Sequence, residues 1–197
     1  MKRLSLYLFL ILFTLQTPSQ ADDIRDFQIE GMSIGDSLLD YLNENQIDKY
    51  KVDTGYKSDK YETVQLSLGY NWEYFETYDA MHINFLKNDK KKIIHGLHGM
   101  KDYDTNNIDE CYKKENEISD ELGSLFINIP KEKVSKQKHA QDPSGKSFTT
   151  GTWINFPSGD RASTKCFDWS EEIGFTDHLR VSIVNKKFMD FINYEAY

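Results

Sequence analysis

Val64, Leu66, Leu68 and Tyr70 alternate with polar or small residues, and Met81, Ile83 and Phe85 repeat the alternation. A period of two is the mark of a strand with one buried face, so each run predicts a strand. Asn88-Asp89-Lys90 is a turn signal, and Lys92 to Met100 is the strand expected to return from it. A two-residue turn would set His82 opposite His95. A three-residue turn sets Ile83 there and pairs more apolar residues, so it is the expected register. Either way His95 and His98 are expected on opposite faces of the strand. Further on, Ser147 to Phe156 and Arg161 to Trp169 predict a hairpin around Pro157-Ser158-Gly159-Asp160. Pairing Phe156 with Arg161 sets Thr150 opposite Phe167, Phe148 opposite Trp169 and Gly151 opposite Cys166. Leu179, Val181 and Ile183 predict the last strand.

Elsewhere the period shifts to that of a helix. Ser33 and Asp36 suit the start of a helix running to about Ile47, with Ile34, Leu38, Leu39 and Leu42 on one face. A second helix is predicted from Asn107 to Phe126, its stripe formed by Ile108, Cys111, Tyr112, Ile118, Leu122, Leu125 and Phe126. Phe188, Phe191 and Ile192 suggest a short C-terminal helix. Lys131 to Gly145 is polar and basic and is expected to be an exposed loop. The order is helix then three strands, twice. It predicts an α+β fold of two helix-plus-three-strand units, an antiparallel sheet with helices on one face. Residues 22–197 would form a single domain, and 30–104 and 105–197 could be its two lobes.

The first 21 residues belong to a different category. Lys2 and Arg3 precede the apolar run Leu4 to Leu15, and Pro18 and the small-x-small triplet Ser19-Gln20-Ala21 follow it. This is the order of a cleavable signal peptide, and the apolar run is short for a membrane span. Cleavage after Ala21 would leave Asp22 first and no transmembrane segment, for a periplasmic or secreted protein. No Cys lies near the cleavage site to carry a lipid. Loss of Lys2 and Arg3 takes the net charge from −8 to −10, which argues against nucleic acid as a partner. The 14% aromatic content argues against disorder. In an oxidising compartment Cys111 and Cys166 most simply form one disulfide; free buried thiols or a reactive Cys are the alternatives.

The chemical motifs are weak. Ala140 to Ser147 (AQDPSGKS) fits a loose P-loop pattern. That loop needs a buried strand before it and a helix after it, whereas Phe148 onward reads as a strand. His82, His95 and His98 have no carboxylate or Cys spaced to complete a metal site. Asp168 and Asp177 flank the last hairpin as turn caps or ligands, and Ser158 and Ser163 lack a nucleophile-elbow context. Tyr70, Trp72, Tyr74, Phe75 and Tyr78 form an aromatic run in a polar segment and are the candidate binding surface. No catalytic residue, metal or cofactor is assigned. The expectation is a non-catalytic binding or interaction module whose partner could be a protein or glycan of the cell envelope. The alternatives are a periplasmic hydrolase whose carboxylate or histidine site the fold assembles, and a structural envelope component.

Several segments resemble an uncharacterised family of small exported proteins of small-genome marine bacteria. They are Ile29 to Leu38, Ser158-Gly159-Asp160-Arg161, Cys166 to Ser170, Leu179 to Ile183 and Asn193 to Tyr197. The resemblance implies export and no particular activity. Gly31-Met32-Ser33 leading into a helix is also similar to outer-membrane assembly lipoproteins of the BamE type, without their lipid-bearing Cys. That likeness implies a helix ahead of a short antiparallel sheet.

Overall fold

Eight strands pair antiparallel in one continuous sheet. They are β1 (Lys51–Val52), β2 (Tyr61–Ser67), β3 (Ala80–Leu86), β4 (Ile94–Tyr103), β5 (Lys131–Lys138), β6 (Phe148–Asn155), β7 (Arg161–Asp168) and β8 (Asp177–Val184), in the spatial order β1-β2-β3-β4-β8-β7-β6-β5. Two four-stranded meanders therefore meet where β4 lies against β8. This computed structural model describes residues 23–104 and 107–197; the predicted signal peptide lies outside them. The α-helices are α1 (Glu44–Lys49), α2 (Ile108–Leu125) and α3 (Lys186–Tyr194). The fold is α+β, as expected, but richer in strands than two helix-plus-three-strand units.

One sheet face carries the core. Val64, Leu66, Met81, Ile83, Phe85, Leu97, Ala162, Cys166, Leu179, Val181 and Ile183 are buried there beneath α2 and the segment from Ile24 to Leu42. The Cys111–Cys166 disulfide staples α2 to β7, and both cysteines are fully buried. Glu115 of α2 is buried on the same side and accepts hydrogen bonds from Thr152 and Thr164 at 3.0 and 2.6 Å.

The largest departure from the sequence reading is at the N-terminus. Residues 33–47 do not form one helix. Gly35 has a φ of 94°, outside the helical region, so no helix from Ser33 passes it. Ser33 donates its hydroxyl to the carbonyls of Arg25 and Phe27 instead of capping. The chain makes a 3-10 turn at Leu38–Asp40, then α1, which opens on a capping box formed by Asn43 and Gln46. Leu38 and Leu42 remain buried, so the apolar spacing marked the core while the backbone bonds went elsewhere, to Lys92 and Ile94.

Lys131 to Lys138 forms edge strand β5 rather than a loop. Neither of its faces is buried, so no alternation betrays it, and its lysines suit an edge that must not pair with another chain. The β6–β7 hairpin is slipped by one residue from the predicted register. Asn155 pairs with Arg161, Thr150 with Cys166 and Gly151 with Lys165, because Phe156 belongs to the turn and its N–H bonds the Asp160 carbonyl. Phe148 and Phe167 consequently lie on opposite faces. In the β3–β4 hairpin neither expected register occurs: His82 pairs with His98 across a longer loop. The register shifts beside Asn84 and Phe85, whose partners are Gly96 and Ile94, leaving His95 as an extra residue. The irregularity turns His95 to the side of His98, where its Nδ1 lies 2.9 Å from the Tyr61 hydroxyl.

Nor do the helices share one face. α3 lies across the second face, burying Phe188 and Phe191 against Tyr61, Val184 and Ala196. It can approach because residue 96 is glycine. A Cβ there would meet Phe188 Cδ1 and Asn84 Oδ1, both at 2.9 Å. Gly96→Ala is therefore expected to destabilise the protein by about 1–3 kcal/mol through overpacking. Urea unfolding measures this, and an unchanged midpoint would show that α3 is not seated on Gly96.

Candidate functional site

The second sheet face is largely polar, and cross-strand pairing shows how its side chains meet. Paired residues share a face, so register writes rows across the sheet. One row runs Gln65, His82, His98, Ser182, Ser163, Trp153. On one side of it Thr63, Asn84, Gly96, Val184 and Arg161 form a second row. On the other side Met100, Arg180, Lys165 and Gly151 form a third, and Asp102, His178 and Phe167 begin a fourth. A cavity of about 430 Å³ lies over these rows and is walled by α3, Tyr56 and Tyr197.

The charges in this cavity are one-sided. Arg161, Lys165 and Arg180 line it, and among the described residues no Asp or Glu does. Among the described residues none of the three forms an ion pair. Arg180 and Lys165 are direct cross-strand partners, an arrangement of like charges that works against folding. Burial lowers the pKa of both, and for Lys165 the Arg180 charge lowers it further. Arg180 Nε is buried without a hydrogen-bond partner, as is Trp153 Nε1. A chain of net charge −8 thus collects unpaired cations in one cavity.

Aromatic rings, not carboxylates, hold these cations in place. The Arg180 guanidinium lies 4.7 Å over the Phe167 ring. Arg161 and Lys165 both lie over Trp153, at 4.6 and 5.2 Å. Phe167 is in turn stacked on His178 at 4.6 Å. His178 Nδ1 can only donate to the Thr176 carbonyl 2.9 Å away, so Nε2 is left to accept from Arg180 Nη2 at 3.3 Å.

The histidines are neutral. Burial, reinforced by Arg180, pushes His82 and His178 down to about 4 and holds His98 well below the usual imidazole value. His98 Nε2 donates to Asn84 Oδ1 at 3.0 Å, and Asn84 Nδ2 donates to Thr63 at 2.7 Å. That leaves His98 Nδ1 to accept from the Ser182 hydroxyl at 2.8 Å. His82 Nε2 donates to Gln65 at 3.0 Å.

Such histidines link stability to pH. They bind protons more readily unfolded, at about 6.5, than folded. Their contribution is complete above about pH 6.5 and is lost as pH falls toward about 4. Thermal unfolding at pH 7, 6 and 5 should show a falling Tm. A flat profile over this range would contradict the assignment.

The aromatic run does not form a single surface. Phe75 and Tyr78 are buried in the core, and Trp72 packs partly against it. Tyr70 and Tyr74 are exposed, with Tyr74 edge-on to Trp72 at 5.4 Å. The AQDPSGKS loop precedes β6 and is organised around Asp142. Asp142 accepts from the backbone N–H groups of Ser144 and Ser147 and from the hydroxyls of Ser147 and Ser170. Hydrogen bonds, led by those of Ser147 and Ser144, hold its carboxyl well below the usual range. A carboxylate of the chain itself thus takes the donors that a phosphate would need. Asp177 accepts the Trp169 N–H at 2.6 Å, and Asp168 accepts from Tyr112 and Lys136. Asp177 thus caps a backbone N–H, and Asp168 ties β7 to α2 and β5. Among the described residues no cluster of three or more His, Cys, Asp or Glu is placed to hold a metal.

Sequence reasoning singled out the apolar positions of β8 and passed over Arg180 and Ser182 between them. Arg180 and Ser182 alternate with Leu179, Val181 and Ile183, and Arg161, Ser163 and Lys165 alternate likewise along β7. Cations at the inward positions of a second face were the available signal. Compared with protein-family models, curated proteins and solved structures, the chain matches none.

Proposed function

We propose that this is an exported, non-catalytic binding protein whose polar sheet face takes up an organic anion. One observation carries the reading: Arg161, Lys165 and Arg180 share a cavity without a carboxylate, and Arg180 Nε is buried and unpartnered. Half-buried like charges that face one another without a carboxylate are unfavourable until a counter-charge joins them. The cavity's volume suits a small molecule, and its wall combines apolar surface with a few convergent polar groups. Calorimetric titration with inorganic phosphate and with benzoate tests the reading. Saturable 1:1 binding that weakens with salt supports it, and no heat from either anion at millimolar concentration removes it.

Export rests on the order of charge, apolar run and small residues in positions 1 to 21, and the disulfide accords with an oxidising destination. The expected outcome is a mature chain beginning at Asp22 in the periplasmic or secreted fraction, checked by N-terminal sequencing. An intact Met1 there would contradict cleavage.

A second reading, a hydrolase assembled from histidines, is favoured by the Ser182–His98–Asn84 chain of hydrogen bonds. It is the weaker one. A base for Ser182 must become an imidazolium, and burial, Arg180, His82 and Lys165 all oppose that charge on His98. Ser182-dependent hydrolysis of nitrophenyl esters would reverse the preference.

A further inference from the structure

We propose that the ligand is an organic phosphate monoester, its doubly charged head between Arg180 and Lys165 and its apolar body against α3. The inference rests on the anion-binding reading and names the class of anion.

Charge matching comes first. Arg180 and Lys165 face each other directly across β7 and β8. A monocarboxylate or sulfate ester brings one negative charge and leaves one of these cations uncompensated. A phosphate monoester carries about −1.5 to −2 at neutral pH and matches this facing pair, while Arg161 lies apart over Trp153. Donor number comes second. A phosphate head offers three terminal oxygens, a carboxylate two. Arg180, Trp153, the Lys165 ammonium and Ser163 line the same cavity and supply its donors. The neutral histidines add no competing negative charge, and Asn84 and Ser182 hold His98 in its neutral tautomer.

Size and lining supply the remainder of the ligand. The head is no larger than a few waters of about 30 Å³ each, a fraction of the 430 Å³ cavity. Tyr56, Phe188, Met189 and Ile192 give the wall that faces the cationic strands its apolar surface, beside Thr54, Asn193 and Tyr197. Met189 and Ile192 are only partly buried, so this side lies toward solvent and leaves room for a longer body.

The test is calorimetric titration of the mature protein at pH 7 with hexyl phosphate, hexyl sulfate, hexanoate and inorganic phosphate. Hexyl phosphate is expected to bind roughly tenfold or more tightly than each of the others, the equivalent of one additional charge-assisted hydrogen bond or of the buried chain. Ile192→Asn should erase the advantage of hexyl over inorganic phosphate and leave inorganic phosphate unchanged. Lys165→Met should erase the advantage of hexyl phosphate over hexanoate. Vesicles of phosphatidylcholine with and without phosphatidic acid distinguish the source. Binding to phosphatidic acid vesicles identifies a lipid headgroup, and binding of hexyl phosphate without vesicle recruitment identifies a soluble monoester; both support the proposal. Equal affinity for hexanoate and hexyl phosphate overturns the phosphate assignment and leaves the anion site standing. Failure of every probe overturns both.

Discussion

Arg180→Met is expected to weaken anion binding roughly 30- to 150-fold, the loss of about 2–3 kcal/mol that follows removal of a charge-assisted hydrogen-bond donor from a half-buried site. Methionine is close to arginine in length and can keep contact with Phe167, which now carries the guanidinium at 4.7 Å. Stability should move the other way. Arg180 has no acidic partner among the cavity residues and faces Lys165 directly, so its removal relieves repulsion and returns no orphaned carboxylate. A higher Tm with lost affinity is the signature of a residue kept for binding. A lower Tm with unchanged affinity would make Arg180 a structural element.

The second large effect concerns stability. Replacing Cys111 and Cys166 together by alanine is expected to destabilise the protein by about 4 kcal/mol. The bridge closes a loop of 55 residues, and loop-closure entropy of that length gives a loss of this size. For a chain of this size each kcal/mol moves Tm by about 2–4 °C, so a fall of roughly 10 °C is expected. α2 should loosen first, because its covalent tie to β7 is gone. Thermal melts of the oxidised, reduced and double-alanine proteins measure it. Coincident melts would show that the disulfide contributes nothing.

The core was legible in the sequence because burial leaves a period. Met81, Ile83 and Phe85, and Leu179, Val181 and Ile183, lie in strands and are buried. The long helix was placed within a residue of each end, since its stripe spans several turns. What failed was decided outside the local pattern. Gly35 and the hydroxyl of Ser33 broke an apolar run that spelled helix. β5 has no buried face to write into its sequence. Both hairpin registers turned on loop geometry, a five-residue turn in one and the extra residue at His95 in the other.

The site was hidden for a related reason. Arg180 and Lys165 are fifteen positions apart and meet only because β7 and β8 pair in this register. His98 and Ser182 come from different meanders and meet at the β4–β8 seam. The visible cluster, Tyr70 to Tyr78, turned out to be divided between core and solvent. The cysteines were the exception, since one pair of cysteines allows one pairing.

Arg180 would meet the anion through its guanidinium, and the Arg180 Nε–H resonance is sensitive to that contact. In a titration of the labelled mature protein with hexyl phosphate, followed by NMR of arginine side chains, this signal should shift and saturate at the affinity measured by calorimetry. An Arg180 Nε–H that stays in place while the phosphate binds would contradict the site.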